Sequence, residues 1–386
     1  MADLTVDFAG LRLRSPIIAA SAGITGNAER LKRAQDHGVG SVVMKTVFEE
    51  PLMADSPTPR FAIIQRKAGT NRSTTLYSYE QGYEYGIEAY CEEIRKAKRF
   101  LEIPVIASVG GVSDEIWTKW GRMVEEAGAD AIELNLSCPH GPIVLHQTNR
   151  IAEVIDHTVR LMKRTLKIPV IAKMTPQMSD PSVVARMIEE AGADAATMFS
   201  RFPGLDVDVE AERPILHGGT AGHGGPWAIH YALYWINLTH PHLSIPISGC
   251  GGVINGEDVV KYILAGATTV QTAMAIYMQG YEVIDRLNRE LAGWMDRHGY
   301  ATPADFRGAL HPKVKTMAQV DRRKVVRARI DQEKCTGCGV CERVCIYFAV
   351  RHEGRRYEIG DQCDGCGLCP QLCPQECIAM VPRDGR

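Results

Sequence analysis

The sequence predicts an α/β protein, a closed (β/α)₈ barrel (TIM barrel) followed by a small cysteine-rich domain. One unit recurs along the chain: an amphipathic helix, a glycine stop and a short apolar strand. "EEAGADAIELN" (125–135) is repeated as "EEAGADAATMF" (189–199), and "IPVIAS" (103–108) as "IPVIAK" (168–173). Nine of the twelve cysteines follow residue 334. Helix and strand units in series indicate parallel strands with crossover helices, and the cysteines indicate a separate module.

Eight apolar segments are predicted to be strands: 17–20, 42–45, 105–108, 131–135, 170–173, 195–199, 246–249 and 269–272. Helical patterns follow them, for example at 148–166, 181–190, 256–265 and 281–297. Eight such units in a chain of this length fit the closed barrel. An open, doubly wound sheet is the structural alternative.

Three segments lie outside these units. "LTVDFAGLRLRSP" (4–16) predicts a hairpin before the first strand, and 46–82 forms a long excursion after the second. Loops of that length are usually functional or disordered. We predict a catalytic barrel over 1–312, a linker over 313–328 and a ferredoxin-like domain over 329–386. The basic run "DRRKVVRARI" (321–330) is predicted to be a solvated linker or, alternatively, a docking surface for an acidic electron partner.

Composition narrows the function classes. The 386 residues are 45% apolar and 23% charged, as in ordinary soluble proteins. A formal net charge of −2 gives no reason to expect nucleic acid or an anionic membrane as partner. We expect neither a membrane span nor a signal peptide. With its clustered cysteines, the chain is therefore predicted to work in a reducing cytoplasm.

The C-terminal cysteines form two runs with the spacing C-x₂-C-x₂-C-x₃-C. Three thiolates at this spacing are typical of one corner of a [4Fe–4S] cluster, whereas structural zinc uses separated ligand pairs. The fourth cysteine of each run is expected to ligate the other cluster. One cluster is therefore assigned to Cys335, Cys338, Cys341 and Cys373, and the second to Cys345, Cys363, Cys366 and Cys369. Cys377 is left over and is expected to be a buried thiol.

In a barrel of this kind, chemistry is expected at the carboxyl ends of the strands. Glycine-rich turns follow the seventh and eighth strands and favour a phosphate group. Lys45, Asn135 and Lys173 end other strands, and a cation there would stabilise an anionic reduced flavin. The set predicts a site for flavin mononucleotide (FMN). Cys138, just past the fourth strand, is a candidate general acid or base; the alternative is a small buried thiol.

Several motifs mark a resemblance. "SPIIAASAG" (15–23), "ELNLSCPHG" (133–141), "AKMTP" (172–176) and "SGCGG" (248–252) resemble the class 1 dihydroorotate dehydrogenases. The two-cluster tail on the same chain resembles the flavin-and-cluster portion of the dihydropyrimidine dehydrogenases. The resemblance implies that Cys138 is the proton donor or acceptor. It implies FMN contacts at Ala20, Ser21, Lys45, Thr46, Asn135, Lys173, Gly222, Gly251, Gly252, Thr272 and Ala273.

The chain departs from that family where the substrate is held. The family uses several asparagines, but after the sixth strand this chain has "FSR" (199–201) in place of an Asn-Thr pair. Arg201 suits a planar carboxylate, although a structural role is the alternative. The residues predicted to contact substrate are Asn71, Ser137, Ser200 and Arg201.

The chain contains no G-x-G-x-x-G motif, so no dinucleotide site of that type is expected on it. We therefore expect electrons to come from a partner, either a ferredoxin or an FAD/NAD(P)H-binding subunit, within a homo- or hetero-oligomer. They would pass through the clusters and FMN to a C=C bond of a cyclic substrate, or in reverse from a CH–CH bond.

Three alternatives stay open from the sequence. The substrate could be a different, anionic unsaturated ring. The chain could be a non-catalytic electron-transfer subunit, or a barrel enzyme without flavin.

Overall fold

The computed structural model describes residues 2–49, 58–68, 71–79, 82–136, 151–216, 221–323 and 326–383. The chain divides into two compact units. The first comprises Met1–Arg66 and Ser73–Val314, and the second Lys67–Arg72 and Lys315–Arg386.

The first unit is a closed barrel of eight parallel strands. They are β1 (Ile17–Ala19), β2 (Ser41–Val43), β3 (Val105–Gly110), β4 (Ala131–Asn135), β5 (Val170–Met174), β6 (Ala195–Met198), β7 (Ile247–Cys250) and β8 (Thr269–Thr272). Each strand pairs with the next, and β8 pairs with β1, so no edge is left open. The predicted barrel is confirmed, and the open sheet is excluded.

Helices cover the outside of the barrel. They are α1 (Ala28–Asp36), α2 (Gly86–Lys98), α3 (Asp114–Glu126), α4 (Ile151–Thr165), α5 (Pro181–Glu190), α6 (Ile229–Thr239), α7 (Gly256–Ala265), α8 (Met274–Gln279) and α9 (Val283–His298). Several begin where a polar side chain accepts a backbone N–H of the first turn, which satisfies a donor that the helix leaves unpaired. These N-caps are Asn27, Ser113, Asp180 and Asn255.

The hairpin predicted before the first strand is confirmed, and it closes the amino-terminal end of the barrel. Val6–Phe8 pairs antiparallel with Leu11–Leu13. Phe8 and Leu13 are fully buried and pack on the lowest inward-facing layer of the barrel. That layer consists of Ile18, Val43, Ile106, Ala131, Ile171 and Ala195. The hairpin therefore seals the end of the barrel opposite the predicted site.

The excursion after β2 forms part of a small antiparallel sheet. Phe61–Ala68 and Asn71–Ser78 are neighbouring strands, and the second also pairs with Ala221–Gly224. Ala221–Gly224 pairs in turn with Phe202–Gly204. Segments that follow β2 and β6 are thereby joined into one four-stranded sheet.

The second unit has two short helices and two antiparallel strand pairs. The helices are α10 (Val340–Arg343) and α11 (Leu368–Leu372). The strand pairs are Val326–Ile330 with Ile378–Pro382, and Val350–Glu353 with Arg356–Ile359. The first of these strands begins inside the stretch 313–328 predicted to be a linker. No helix in the described ranges is long and apolar enough to cross a membrane.

We predict that Phe8→Ala lowers the free energy of unfolding of the barrel by about 3–5 kcal/mol, because the substitution leaves a cavity in a sealed layer. Urea titration followed by circular dichroism measures the change. Arg12→Ala is the matched control on the same hairpin, since its ion pair with Asp7 is largely exposed and should contribute less than about 1 kcal/mol. Equal losses from both substitutions would show that the hairpin does not seal the core.

Candidate active site

A cavity opens at the carboxyl ends of the barrel strands, where chemistry is expected in this fold. It encloses about 1300 Å³ of empty space, its open mouth included. Seven of the eight strands contribute lining residues at or just beyond their carboxyl ends, and the antiparallel sheet contributes others. The cavity is therefore built from segments that are far apart in the sequence.

Ten of the eleven residues predicted to contact FMN line this cavity. They are Ala20, Ser21, Lys45, Thr46, Asn135, Lys173, Gly251, Gly252, Thr272 and Ala273. Gly222 is not among the lining residues; it lies in the strand Ala221–Gly224, opposite Ser78 and Pro203. The contacts of all eleven with the cofactor stay predictions.

Two of the four residues predicted to contact substrate line the cavity, and the side chains of the other two lie outside the described residues. Ser200 and Arg201 line the cavity. Ser137, Cys138 and the side chain of Asn71 lie outside the described residues. The proposed proton donor therefore stays a prediction.

A buried polar network lies at the floor of the cavity. The Lys173 ammonium contacts Glu133 Oε1 at 3.0 Å and donates to Gln271 Oε1 at 3.1 Å. Glu133 Oε2 accepts from Gln271 Nε2 at 2.7 Å and from Thr197 Oγ1 at 2.9 Å. The four side chains come from β5, β4, β8 and β6, so the network connects half of the barrel strands. Both Glu133 oxygens are thereby satisfied, as a buried carboxylate requires.

The network keeps Lys173 charged. Burial disfavours its ammonium, but the adjacent Glu133 carboxylate more than offsets that effect, so the pKa of Lys173 is raised above its ordinary value. Burial also raises the pKa of the nearby Cys250 thiol, an effect that Lys173 opposes. The floor therefore presents a cation beside a neutral thiol at neutral pH.

Thr46 organises a second polar cluster on the wall. Its Oγ1 lies 2.9 Å from Ser21 Oγ and 2.8 Å from Ser108 Oγ, and it accepts from Asn135 Nδ2 at 2.8 Å. Asn135 Oδ1 is buried and has no hydrogen-bond partner among the described residues. A buried acceptor of this kind is costly unless a ligand donates to it.

The turn after β7 exposes bare backbone to the cavity. Gly251 and Gly252 have φ angles of 114° and 75°, a region that favours glycine. A Cβ on Gly252 would lie 2.6 Å from the Ile229 nitrogen. Tyr262 anchors the turn by donating to the Gly251 carbonyl at 2.6 Å. Such a turn lets a phosphate approach the backbone closely.

Aromatic side chains form the wall beyond β6. The ring centroids of Phe199 and Tyr231 are 5.3 Å apart, as are those of Phe202 and Tyr231. His223 Nδ1 donates to the Phe202 carbonyl oxygen at 3.1 Å. Burial lowers the pKa of His223, so its ring is neutral at neutral pH. Aromatic rings that are tilted or edge-on to one another therefore form much of this side of the cavity.

In the second unit, each predicted set of four cysteines lines its own small cavity. One is lined by Cys335, Cys338, Cys341 and Cys373, and the other by Cys345, Cys363, Cys366 and Cys369. Each cavity thus has three sulfurs from one run and one from the other, as the sequence predicts. No group of three or more His, Cys, Asp or Glu in the described ranges could hold a single metal ion.

Cys377 is 5% exposed, as expected for a buried thiol. It also lines the first of these cavities, and its sulfur lies 3.4 Å from that of Cys373.

Sequence reasoning missed Glu133, Thr197 and Gln271, which hold Lys173, and the aromatic wall. Glu133 is a charged residue inside an otherwise apolar strand, "AIELN" (131–135), and Gln271 interrupts "TTVQT" (268–272). A buried charge or amide requires a polar partner, so Glu133 and Gln271 were usable signals. The wall left no such signal, because it combines Phe199 and Phe202 with Tyr231 of α6 and with His223, which are distant in the sequence.

Comparisons with known proteins match this geometry. The model of the dihydroorotate dehydrogenase family matches residues 3–295, and that of the 4Fe-4S binding domain matches 328–351. The chain belongs to the dihydroorotate dehydrogenase family. It is an FMN-dependent oxidoreductase that acts on CH–CH donors, with a ferredoxin-like iron–sulfur domain. The resemblances drawn from the motifs are confirmed.

Individual relatives cover most of the chain. The NAD-dependent dihydropyrimidine dehydrogenase subunit PreA of Escherichia coli (strain K12) is 30% identical over 355 residues, 89% of this chain and 85% of the relative. The catalytic subunit of dihydroorotate dehydrogenase B (NAD(+)) from Pyrococcus abyssi is 32% identical over 308 residues, 79% of this chain and 98% of the relative. That from Endomicrobium trichonymphae is 34% identical over 271 residues, 69% of this chain and 84% of the relative.

The described residues fit FMN. Lys45 and Lys173 supply positive charge to the cavity. The turn at Gly251 and Gly252 suits a phosphate group. Asn135 Oδ1 can accept a hydrogen bond from the cofactor. These are the three kinds of group that the cofactor would require.

We predict that Glu133→Gln lowers the free energy of unfolding by about 3–5 kcal/mol, because the Lys173 charge is then left buried without its carboxylate. Thermal unfolding of the FMN-free protein measures the change. The double variant Glu133→Gln with Lys173→Met should recover much of the loss, because it removes the stranded charge. A double variant as unstable as Glu133→Gln alone would show that the ion pair is not the cause.

Proposed function

We propose that the protein interconverts the C=C and CH–CH forms of a cyclic substrate, in the manner of a dihydropyrimidine dehydrogenase, with electrons passing between a partner protein, two [4Fe–4S] clusters and FMN. The observation that carries the proposal is the pairing, on one chain, of a cationic barrel cavity with two cysteine-lined cavities. The Escherichia coli relative, a subunit of an NAD-dependent dihydropyrimidine dehydrogenase, supports it.

The barrel residues would divide the binding of FMN among themselves. Lys173, held by Glu133, would place positive charge against the ring, where it favours the anionic reduced form. Gly251 and Gly252 would receive the phosphate. Thr46 would orient Asn135 so that its open oxygen accepts a donor. When bound, FMN exchanges a hydride equivalent with carbon and single electrons with iron–sulfur clusters.

Cys138 would move the proton. In the sequence it follows Asn135, the last residue of β4, by three positions, and Asn135 lines the cavity. A thiol with its usual pKa near 8.5 is protonated at neutral pH and can donate a proton to the substrate carbon.

The two-cluster assignment rests on the same spacing in both cysteine runs and on the two cavities, each lined by one predicted set. The family match covers the first run. For the second run, the cavity lined by Cys363, Cys366, Cys369 and Cys345 is the support.

A separate electron carrier, either a ferredoxin or an FAD/NAD(P)H-binding subunit, would complete the system. The chain has no G-x-G-x-x-G motif, and relatives are named as subunits. We infer that the protein works in the cytoplasm, because cysteines that ligate clusters require a reducing compartment. Because the relatives are named as subunits, we also infer that it is part of a homo- or hetero-oligomer.

Cys138→Ala should slow turnover about 10²- to 10⁴-fold, the usual contribution of general acid–base catalysis. Reduction of the bound flavin by dithionite should be unchanged, since no proton transfer to substrate is involved. Anaerobic stopped-flow absorbance at flavin wavelengths separates the two steps. Turnover of a true substrate at the original rate would exclude Cys138 as the acid.

Cys373→Ser should lower the iron content of anaerobically reconstituted protein from about eight to about four per chain, because it removes a ligand of one cluster. Iron analysis and electron paramagnetic resonance measure the loss. Cys377→Ser is the matched control, since it alters a neighbouring thiol in the same cavity. Loss of iron in the control instead would make Cys377 the ligand.

A further inference from the structure

Arg201 occupies a position in the cavity that is shaped for it. Its side chain lies across Gly222, where a Cβ would come within 2.7 Å of the Arg201 Nε. Nη1 donates to the Ser78 carbonyl at 3.3 Å. Because Gly222 has no side chain, the guanidinium of Arg201 can lie directly against the backbone of the antiparallel sheet. Arg201 also lines the cavity.

The charges around the cavity favour an anion in addition to the cofactor. Lys45, Lys173 and Arg201 line it, and the described lining residues include no Asp or Glu. Glu133 lies beneath the floor and is engaged by Lys173, Thr197 and Gln271. Arg201 extends the positive charge away from that floor and onto the wall beyond β6.

Apolar rings flank Arg201 in sequence and space. Phe199 and Phe202 both line the cavity and pack on Tyr231, and the neutral His223 lies opposite Phe202 on the paired strand. Aromatic rings of this kind pack on planar rings in offset or edge-to-face arrangements.

Amide groups that would recognise a pyrimidine are few in the described lining. Only Asn135 and Gln271 carry side-chain amides there. Gln271 uses its oxygen for Lys173 and its nitrogen for Glu133 and Thr197. Asn135 donates to Thr46, which leaves one open oxygen. A ring with alternating N–H and C=O groups would find few side-chain amides among these described residues, and unpaired polar groups weaken binding strongly.

We propose that the substrate is a planar, unsaturated ring acid whose carboxylate pairs with Arg201 and whose apolar ring packs on Phe199, Phe202 and His223. Gly222 is the positioning residue that seats the guanidinium. This inference rests on the proposed function, because it names the substrate class of the same cavity.

The test compares two ligands of nearly equal shape. Cyclohex-1-ene-1-carboxylate and its neutral carboxamide are titrated into the FMN- and cluster-loaded protein, and perturbation of the oxidised flavin spectrum reports binding. The carboxylate should bind about 10- to 100-fold more tightly, as expected for charge-assisted hydrogen bonds to arginine. Equal or tighter binding of the carboxamide, or of uracil, would overturn the proposal without any variant.

Three variants locate the effect. Arg201→Met should abolish the preference for carboxylate, and Arg201→Lys should retain only part of it, because lysine keeps the charge and loses the planar fork. Gly222→Ala should reduce the preference by displacing the guanidinium. The matched control is Arg307→Met, since Arg307 is exposed and donates to Thr268, at the amino-terminal end of β8. Full carboxylate preference in a flavin-loaded Arg201→Met or Arg201→Lys protein would overturn the assignment.

Failure of the proposed function would look different. Protein that binds no flavin, or that reduces none of the ring acids, uracil or thymine under anaerobic conditions with a low-potential dye, refutes the reaction itself. Flavin-loaded protein that turns over uracil without regard to Arg201 refutes only the ring-acid substrate.

Discussion

Lys173 and Glu133 meet in the interior of the barrel, where their side chains are 7% and 0% exposed to solvent. Two charges in such a place are tolerable only when each has its partners, and here the partners come from two further strands. The strands β4, β5, β6 and β8 must therefore keep the register along the barrel axis that brings the four side chains together. That requirement places a positive charge at the floor of the cavity. Most of the other residues predicted to contact the cofactor line the same cavity.

The cavity divides into a rigid part and an inserted part. Its floor and the glycine turn belong to barrel strands and their immediate ends, whose backbones are held by parallel strand pairing. Its far wall belongs to the four-stranded sheet formed by segments after β2 and β6. Under the proposed function, changes in the inserted sheet would alter which ring is accepted while the flavin chemistry stays the same, a division common where loops lie on a rigid scaffold.

Much of this architecture follows from local patterns in the sequence. The repeated helix and strand units predict all eight barrel strands within a few residues, because parallel buried strands are nearly continuous apolar runs. The cluster ligands are predicted from the sequence just as readily, because each cysteine run brings three of the four predicted sulfurs together locally. The antiparallel sheet was not predictable in the same way. Phe202 meets His223, and Gly222 meets Ser78, only through antiparallel pairing of segments that are separated in the sequence. Arg201 could be recognised as an unusual residue, but its seat on Gly222 is a product of that pairing.

The sharing of sulfurs between the two cysteine runs has a consequence for synthesis of the chain. Neither cavity in the second unit is complete within one run, since the first requires Cys373 and the second requires Cys345. The strand Val326–Ile330 likewise pairs with Ile378–Pro382, about fifty residues further along the chain. During synthesis, neither cavity can therefore close before the second cysteine run has emerged from the ribosome. The last barrel strand, Thr269–Thr272, precedes both runs in the sequence. The barrel can therefore fold before either cavity is complete.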